Sequence, residues 1–65
     1  MNWLDVLQIA ESLVEAHPEI DPLTIAFPKL KSLVQSLPNF QEQPGHPSNE
    51  KILEAIQQSW IDELN

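Results

Sequence analysis

The carboxylates are the residues of this chain best placed to do chemistry. In the stretch SNEKILEAIQQSWIDELN (48–65), Glu50 and Glu54 stand four residues apart. On a helix that spacing stacks them one turn apart on one face, with Asp62 further round the same polar side. Glu11 and Glu15 repeat the spacing near the N-terminus, and Glu19 and Asp21 add two acids in the segment that follows. Such oxygen donors suit a hard or borderline divalent cation. Fe²⁺ ranks low in intrinsic affinity, so binding to an exposed pair would be weak and quickly exchanged. The same acids also suit a basic protein surface. Ile61 falls on the helical wheel among Glu50, Glu54 and Gln57. It reads either as an aliphatic anchor in a charged interface or as a packing residue against the loop or the N-terminus. By spacing alone the simpler reading is a solvated face, with Glu50 favouring the helix N-terminus through the macrodipole.

Other chemistry is poorly supported. Ser12, Ser32, Ser36, Ser48 and Ser59 occupy helical or capping contexts, with no histidine at helical spacing. His17 and His46 each precede a proline and read as solvated turn or loop residues. One glycine cannot build a phosphate loop, and with no cysteine there is no thiolate nucleophile or thiolate metal ligand. No enzyme is expected. The net charge of −7, from ten acids against three lysines and no arginine, repels a phosphate backbone and argues against nucleic acid. No apolar run approaches the roughly 18–20 residues of a membrane span, and no signal-peptide pattern opens the chain. A cytoplasmic monomer without membrane association is the expectation.

The elements that must position the acids follow from periodicity. Six prolines divide the 65 residues into what reads as a single domain, 1–65. In NWLDVLQIAESLVEAHP (2–18), Trp3, Val6, Leu7, Ile9, Ala10, Leu13 and Val14 share one arc of a helix. Asn2 is its expected cap, with Asp5 completing an imperfect capping box. Pro18 ends it at or just before His17. LTIAF (23–27), short and β-branched, reads as an extended piece or brief strand. PKLKSLVQSL (28–37) reads as a second helix, with Leu30, Leu33, Val34 and Leu37 inward and Pro38 closing it. Phe40 is expected to pin the following loop to the core. Ser48 or Asn49 then caps a last helix that buries Ile52, Leu53, Ile56, Trp60 and Leu64. The expected fold is mainly α: a compact three-helix domain with at most a short strand. The acids concentrate on the first and last helices and the turns beside them.

Read together, these residues resemble the IscX (YfhJ-like) family of iron–sulfur cluster assembly accessory proteins. The strongest part is the unbroken run from Ser48 to Ile56, SNEKILEAI, followed by Trp60, Asp62 and Glu63. Trp3 and Asp5 resemble the family's opening, and Glu11 and Leu13 its first helix. Pro18, Glu19, Asp21, Pro22 and Thr24 resemble its P-[DE]-x-D-P-x-T turn. Phe27, Leu37, Phe40 and Pro44 fall at similar places. The resemblance implies a fold similar to a modified winged helix, docking to the cysteine desulfurase IscS through an acidic surface, and weak Fe²⁺ binding by exposed carboxylates. No cofactor is tightly bound on this reading, and ferredoxin is a second candidate partner. The role implied is that of an adaptor and regulator. An iron chaperone or buffer without an obligate partner, or an unrelated small acidic interaction domain, is the alternative. Where the family carries a run of acids after its loop phenylalanine, this chain reads Phe40-Gln41-Glu42-Gln43-Pro44, with one acid. That departure, and the basic Lys29 and Lys31, shift the expected work to the helices. The partner-binding candidates are Asp5, Glu11, Glu15, Glu19, Asp21, Glu50, Glu54 and Ile61. The metal candidates among them are Glu19, Asp21, Glu50 and Glu54.

Overall fold

Asn49 begins the last helix. Its side-chain oxygen accepts the backbone N–H of Ile52 at 2.8 Å, satisfying one of the amides that a helix start leaves without a partner. The computed structural model describes residues 1–42, 45 and 48–65. It contains three helices: α1 (Val6–Ala16), α2 (Phe27–Gln35) and α3 (Glu50–Leu64). Helix α1 packs chiefly against α3, and α2 lies against both. The radius of gyration is 10.6 Å, close to the roughly 11 Å of a compact chain this long. The mainly α, three-helix expectation holds.

The core is Trp3, Ile9, Ala10 and Leu13 from the first segment, Leu30, Val34 and Leu37 from the second, and Leu53, Ile56 and Trp60 from the third. Val6, Val14, Leu33 and Ile52 are partly buried against it, as their arcs predict, and so is Phe40 from the loop. Two residues assigned inward are not: Leu7 is 60% exposed and Leu64 is 52% exposed. Leu7 lies at the margin of its arc, and Leu64 is the final residue of α3, so neither is covered by an opposing helix.

The structure settles two details of the backbone. No strand occurs among the described residues; of LTIAF, Leu23 and Thr24 lie in a turn, Ala26 is extended just ahead of α2, and Phe27 begins the helix. Asp21 makes that turn: its Oδ1 accepts Leu23 N–H at 2.9 Å and its carbonyl accepts Thr24 N–H at 3.3 Å. Asp followed by proline favours such a turn, and a lone extended segment has no second strand to share its backbone hydrogen bonds. Helix α1 also starts later than Asn2 would have it. Asn2 and Asp5 do pair, but around a turn that precedes the helix. Asp5 accepts the backbone N–H of Asn2 at 2.9 Å, and Asn2 accepts that of Leu4 at 2.9 Å. The helix itself begins at Val6. The end before Pro18, the cap at Asn49 and Pro28 in the first turn of α2 are as expected.

A domain this small has a net stability on the order of 3–5 kcal/mol. Ile56 is fully buried, and Ile56→Ala should cost about 2–5 kcal/mol. Loss of the cap in Asn49→Ala should cost only about 1 kcal/mol. Thermal melts followed by circular dichroism should therefore show Asn49→Ala folded with a lowered midpoint and Ile56→Ala largely unfolded at room temperature.

Candidate functional site: an acidic helical surface

The candidate residues lie on the outside of the fold. Glu11 and Glu15 on α1, Glu19 and Asp21 in the turn after it, and Glu50 and Glu54 on α3 are all exposed, while Asp5 and Ile61 are half-buried. The periodicity that points the apolar stripes of α1 and α3 at each other turns these glutamates outward. Each helix thus brings together one pair, Glu11 with Glu15 and Glu50 with Glu54, separated by a single turn.

The acids differ in how far the fold already uses them. Asp5 closes the turn ahead of α1 and Asp21 closes the turn ahead of α2, each with one carboxylate oxygen committed to a backbone amide. Asp62 accepts from Gln58 Nε2 at 3.1 Å. Glu19 stands 3.7 Å from Nδ1 of His17, which is the only acid–base contact within 4 Å among the described residues. Glu50 occupies the first turn of α3, where a negative charge is favoured. Among the described residues, Glu11, Glu15 and Glu54 carry no such structural task. The lysines, Lys29, Lys31 and Lys51, are exposed as well.

As a metal centre the arrangement is sparse. Among the described residues no group of three or more His, Asp or Glu side chains gathers where it could hold an ion. Glu50 with Glu54 supplies carboxylate oxygens from one helix face only, and Asp21 has one oxygen engaged. Nor is there a buried reactive group: no polar or charged residue is buried among those described. The depressions among the described residues are open grooves: one between the starts of α2 and α3, one at the start of α1, and one between the end of α1 and the segment that follows α2, beside Glu15. His46, Pro44 and Gln43 lie outside the described residues.

One functional side chain is not apparent from the sequence pattern. Glu42, the single acid after Phe40, accepts hydrogen bonds from Gln35 Nε2 at 2.8 Å and Trp3 Nε1 at 3.3 Å through the same oxygen. The N-terminus is fastened beside it: the Met1 ammonium donates to the Asn39 carbonyl at 2.9 Å, and Gln41 N–H donates to the Met1 carbonyl at 2.8 Å. Phe40 meets Trp3 edge-on, with ring centroids 4.8 Å apart. The expected pinning of the loop by Phe40 is thus found, with the chain's N-terminus as its counterpart. The available signal was Trp3 itself, since a buried indole N–H needs an acceptor.

The fold and surface define a small acidic helical protein that offers a charged exterior and no enclosed pocket among the described residues. The matching family is described as iron–sulphur cluster assembly, and the match runs over residues 1–65. The chain belongs to this family, the IscX/YfhJ family. A relative from Pseudomonas aeruginosa, the uncharacterized protein PA3808, is 48% identical over 63 residues, covering 97% of this chain and 94% of the relative. Membership supports a role in iron–sulfur cluster assembly, and the family is an accessory rather than a catalytic one. No described helix is long and apolar enough to cross a membrane.

The hydrogen bonds from Gln35 and Trp3, with the positive charge of Lys31, hold the Glu42 carboxyl below its ordinary value of 4.5. A depressed carboxylate contributes stability above its unfolded value and loses it as pH falls through the folded value. Glu42→Gln should therefore melt below wild type at neutral pH, with the gap narrowing as pH drops below 4.5. Thermal melts across that range, followed by tryptophan fluorescence, check this; a gap constant with pH would contradict it.

Proposed function

We propose that this chain is an accessory protein of iron–sulfur cluster assembly that docks on the cysteine desulfurase IscS through the acids of α1, the following turn and α3. The observation that carries the reading is the set of exposed carboxylates with no structural task, Glu11, Glu15 and Glu54, in a chain of net charge −7 whose family works in cluster assembly. The only acid–base contact among the described residues involves His17. The field of the acidic faces is thus available to a basic partner. With no thiol in the sequence, the chain cannot hold a cluster through cysteine, so it acts as adaptor and regulator rather than scaffold.

Steering by exposed charge is screened over about 10 Å at 0.1 M salt. The complex with the desulfurase should weaken steeply as salt rises, and Glu11→Lys and Glu54→Lys should each weaken it at low salt. Calorimetric titration measures this; an affinity indifferent to both salt and charge reversal would reject the electrostatic docking.

Weak Fe²⁺ binding at Glu50 and Glu54 is the secondary activity, supported by their one-turn spacing and exposure. It makes the protein a loose iron carrier beside its docking role. In an NMR titration with Fe²⁺, resonances of Glu50 and Glu54 should broaden before those of Glu11 and Glu15, and Glu54→Gln should abolish that preference. Uniform broadening or an unchanged spectrum would remove the site.

A further inference from the structure

Leu4 and Leu7 are each 60% exposed, beside a core of ten buried residues among those described. They are three residues apart, Leu4 in the turn before α1 and Leu7 in its first turn, and with Asp5, Val6, Gln8 and Glu11 they line one shallow groove. Along the helix, Leu7, Glu11 and Glu15 follow at intervals of four and are all exposed. The outer face of α1 is therefore apolar at its N-terminal end and acidic beyond it. Residues 1–21 contain no lysine or arginine, and the Met1 ammonium is engaged with the Asn39 carbonyl. The apolar pair thus has an acidic surround.

That surround selects the occupant. A second copy of this chain would place Asp5 and Glu11 against the same acids, with −7 facing −7. An anionic lipid surface would be repelled in the same way. A protein surface that holds an apolar pocket inside a basic rim satisfies both the leucines and the acids. We propose that Leu4 and Leu7 are the apolar anchor of an interface formed by α1 and the turn before it, inserted into such a pocket while Glu11 and Glu15 meet the surrounding basic residues. This rests on the docking reading above and adds to it a desolvated centre, which charge alone does not supply. Exposed charges mainly govern the rate of encounter, and a buried aliphatic anchor mainly governs the rate of escape.

The test is the double substitution Leu4→Gln/Leu7→Gln, measured by biosensor kinetics against the cysteine desulfurase at low and high salt, beside Glu11→Lys. Both leucines face solvent, so the variant should keep the wild-type melting curve. Its affinity should fall by about tenfold or more, the scale of a buried aliphatic side chain. The loss should appear as faster dissociation with an unchanged dependence on salt. Glu11→Lys should instead slow association and flatten the salt dependence. Wild-type dissociation by the leucine variant, with Glu11→Lys still impaired, would overturn the anchor and leave the docking intact. Failure of wild type itself to bind would overturn the docking and the anchor together. Self-association of wild type in sedimentation, abolished by the leucine substitutions, would overturn the choice of occupant.

Discussion

The burial of Trp3 is the constraint on which much of this small structure depends. An indole is among the largest apolar surfaces a side chain can remove from water, but its N–H must find an acceptor. Trp3 sits outside the helices, on the turn made by Asn2 and Asp5, and is fully buried. Its N–H reaches Glu42, thirty-nine residues along the chain. That contact, the edge-on packing of Phe40 and the two hydrogen bonds at Met1 join the N-terminus to the segment that leaves α2. The first 42 residues are thereby closed on themselves without a disulfide, which a sequence lacking cysteine could not form.

The same economy governs the connection between α1 and α2. Pro22 is buried, and its carbonyl accepts from Gln57 Nε2 at 2.8 Å, tying the turn to the middle of α3. Asp21 sets the direction of that turn through Leu23 N–H. With the helices packed on one another and the connections tied down in this way, the described interior has no room for a buried polar site.

The helices were legible because their apolar periods are regular and their boundaries are marked by Pro18, Pro28 and Asn49. Whether LTIAF forms a strand was not, because β-branched propensity is local and a strand needs a partner, which the described residues do not provide. Leu7 and Leu64 show the limit of the helical wheel. It gives the direction of a side chain but not whether a neighbouring helix extends far enough to cover it. Asn2 and Asp5 were recognised as a pair, while the turn they close could be placed only once Trp3 was seen to enter the core. The run SNEKILEAI carried the family, and the exposure of Glu11, Glu15, Glu50 and Glu54 followed from the same periodicity that buries Ile56 and Trp60. Glu42 was hidden because its partners, Gln35 and Trp3, are brought to it by tertiary folding.

Sorting the acids by structural task changes what the acidity of this chain means. Asp5 and Asp21 close turns, Glu42 receives the indole of Trp3, and Glu50 stands at a helix start. These four serve the fold whether or not a partner is present. Glu11, Glu15 and Glu54 do not; their mutual repulsion with the remaining acids slightly opposes compaction. In a domain with so little stability in reserve, charge that does not serve folding is a cost unless it is useful elsewhere. It follows that substitutions at Asp5 or Asp21 mix a change in recognition with a change in the backbone that presents it. Substitutions at Glu11, Glu15 and Glu54 leave the turns and the core contacts in place, so an effect there on binding can be assigned to the surface itself.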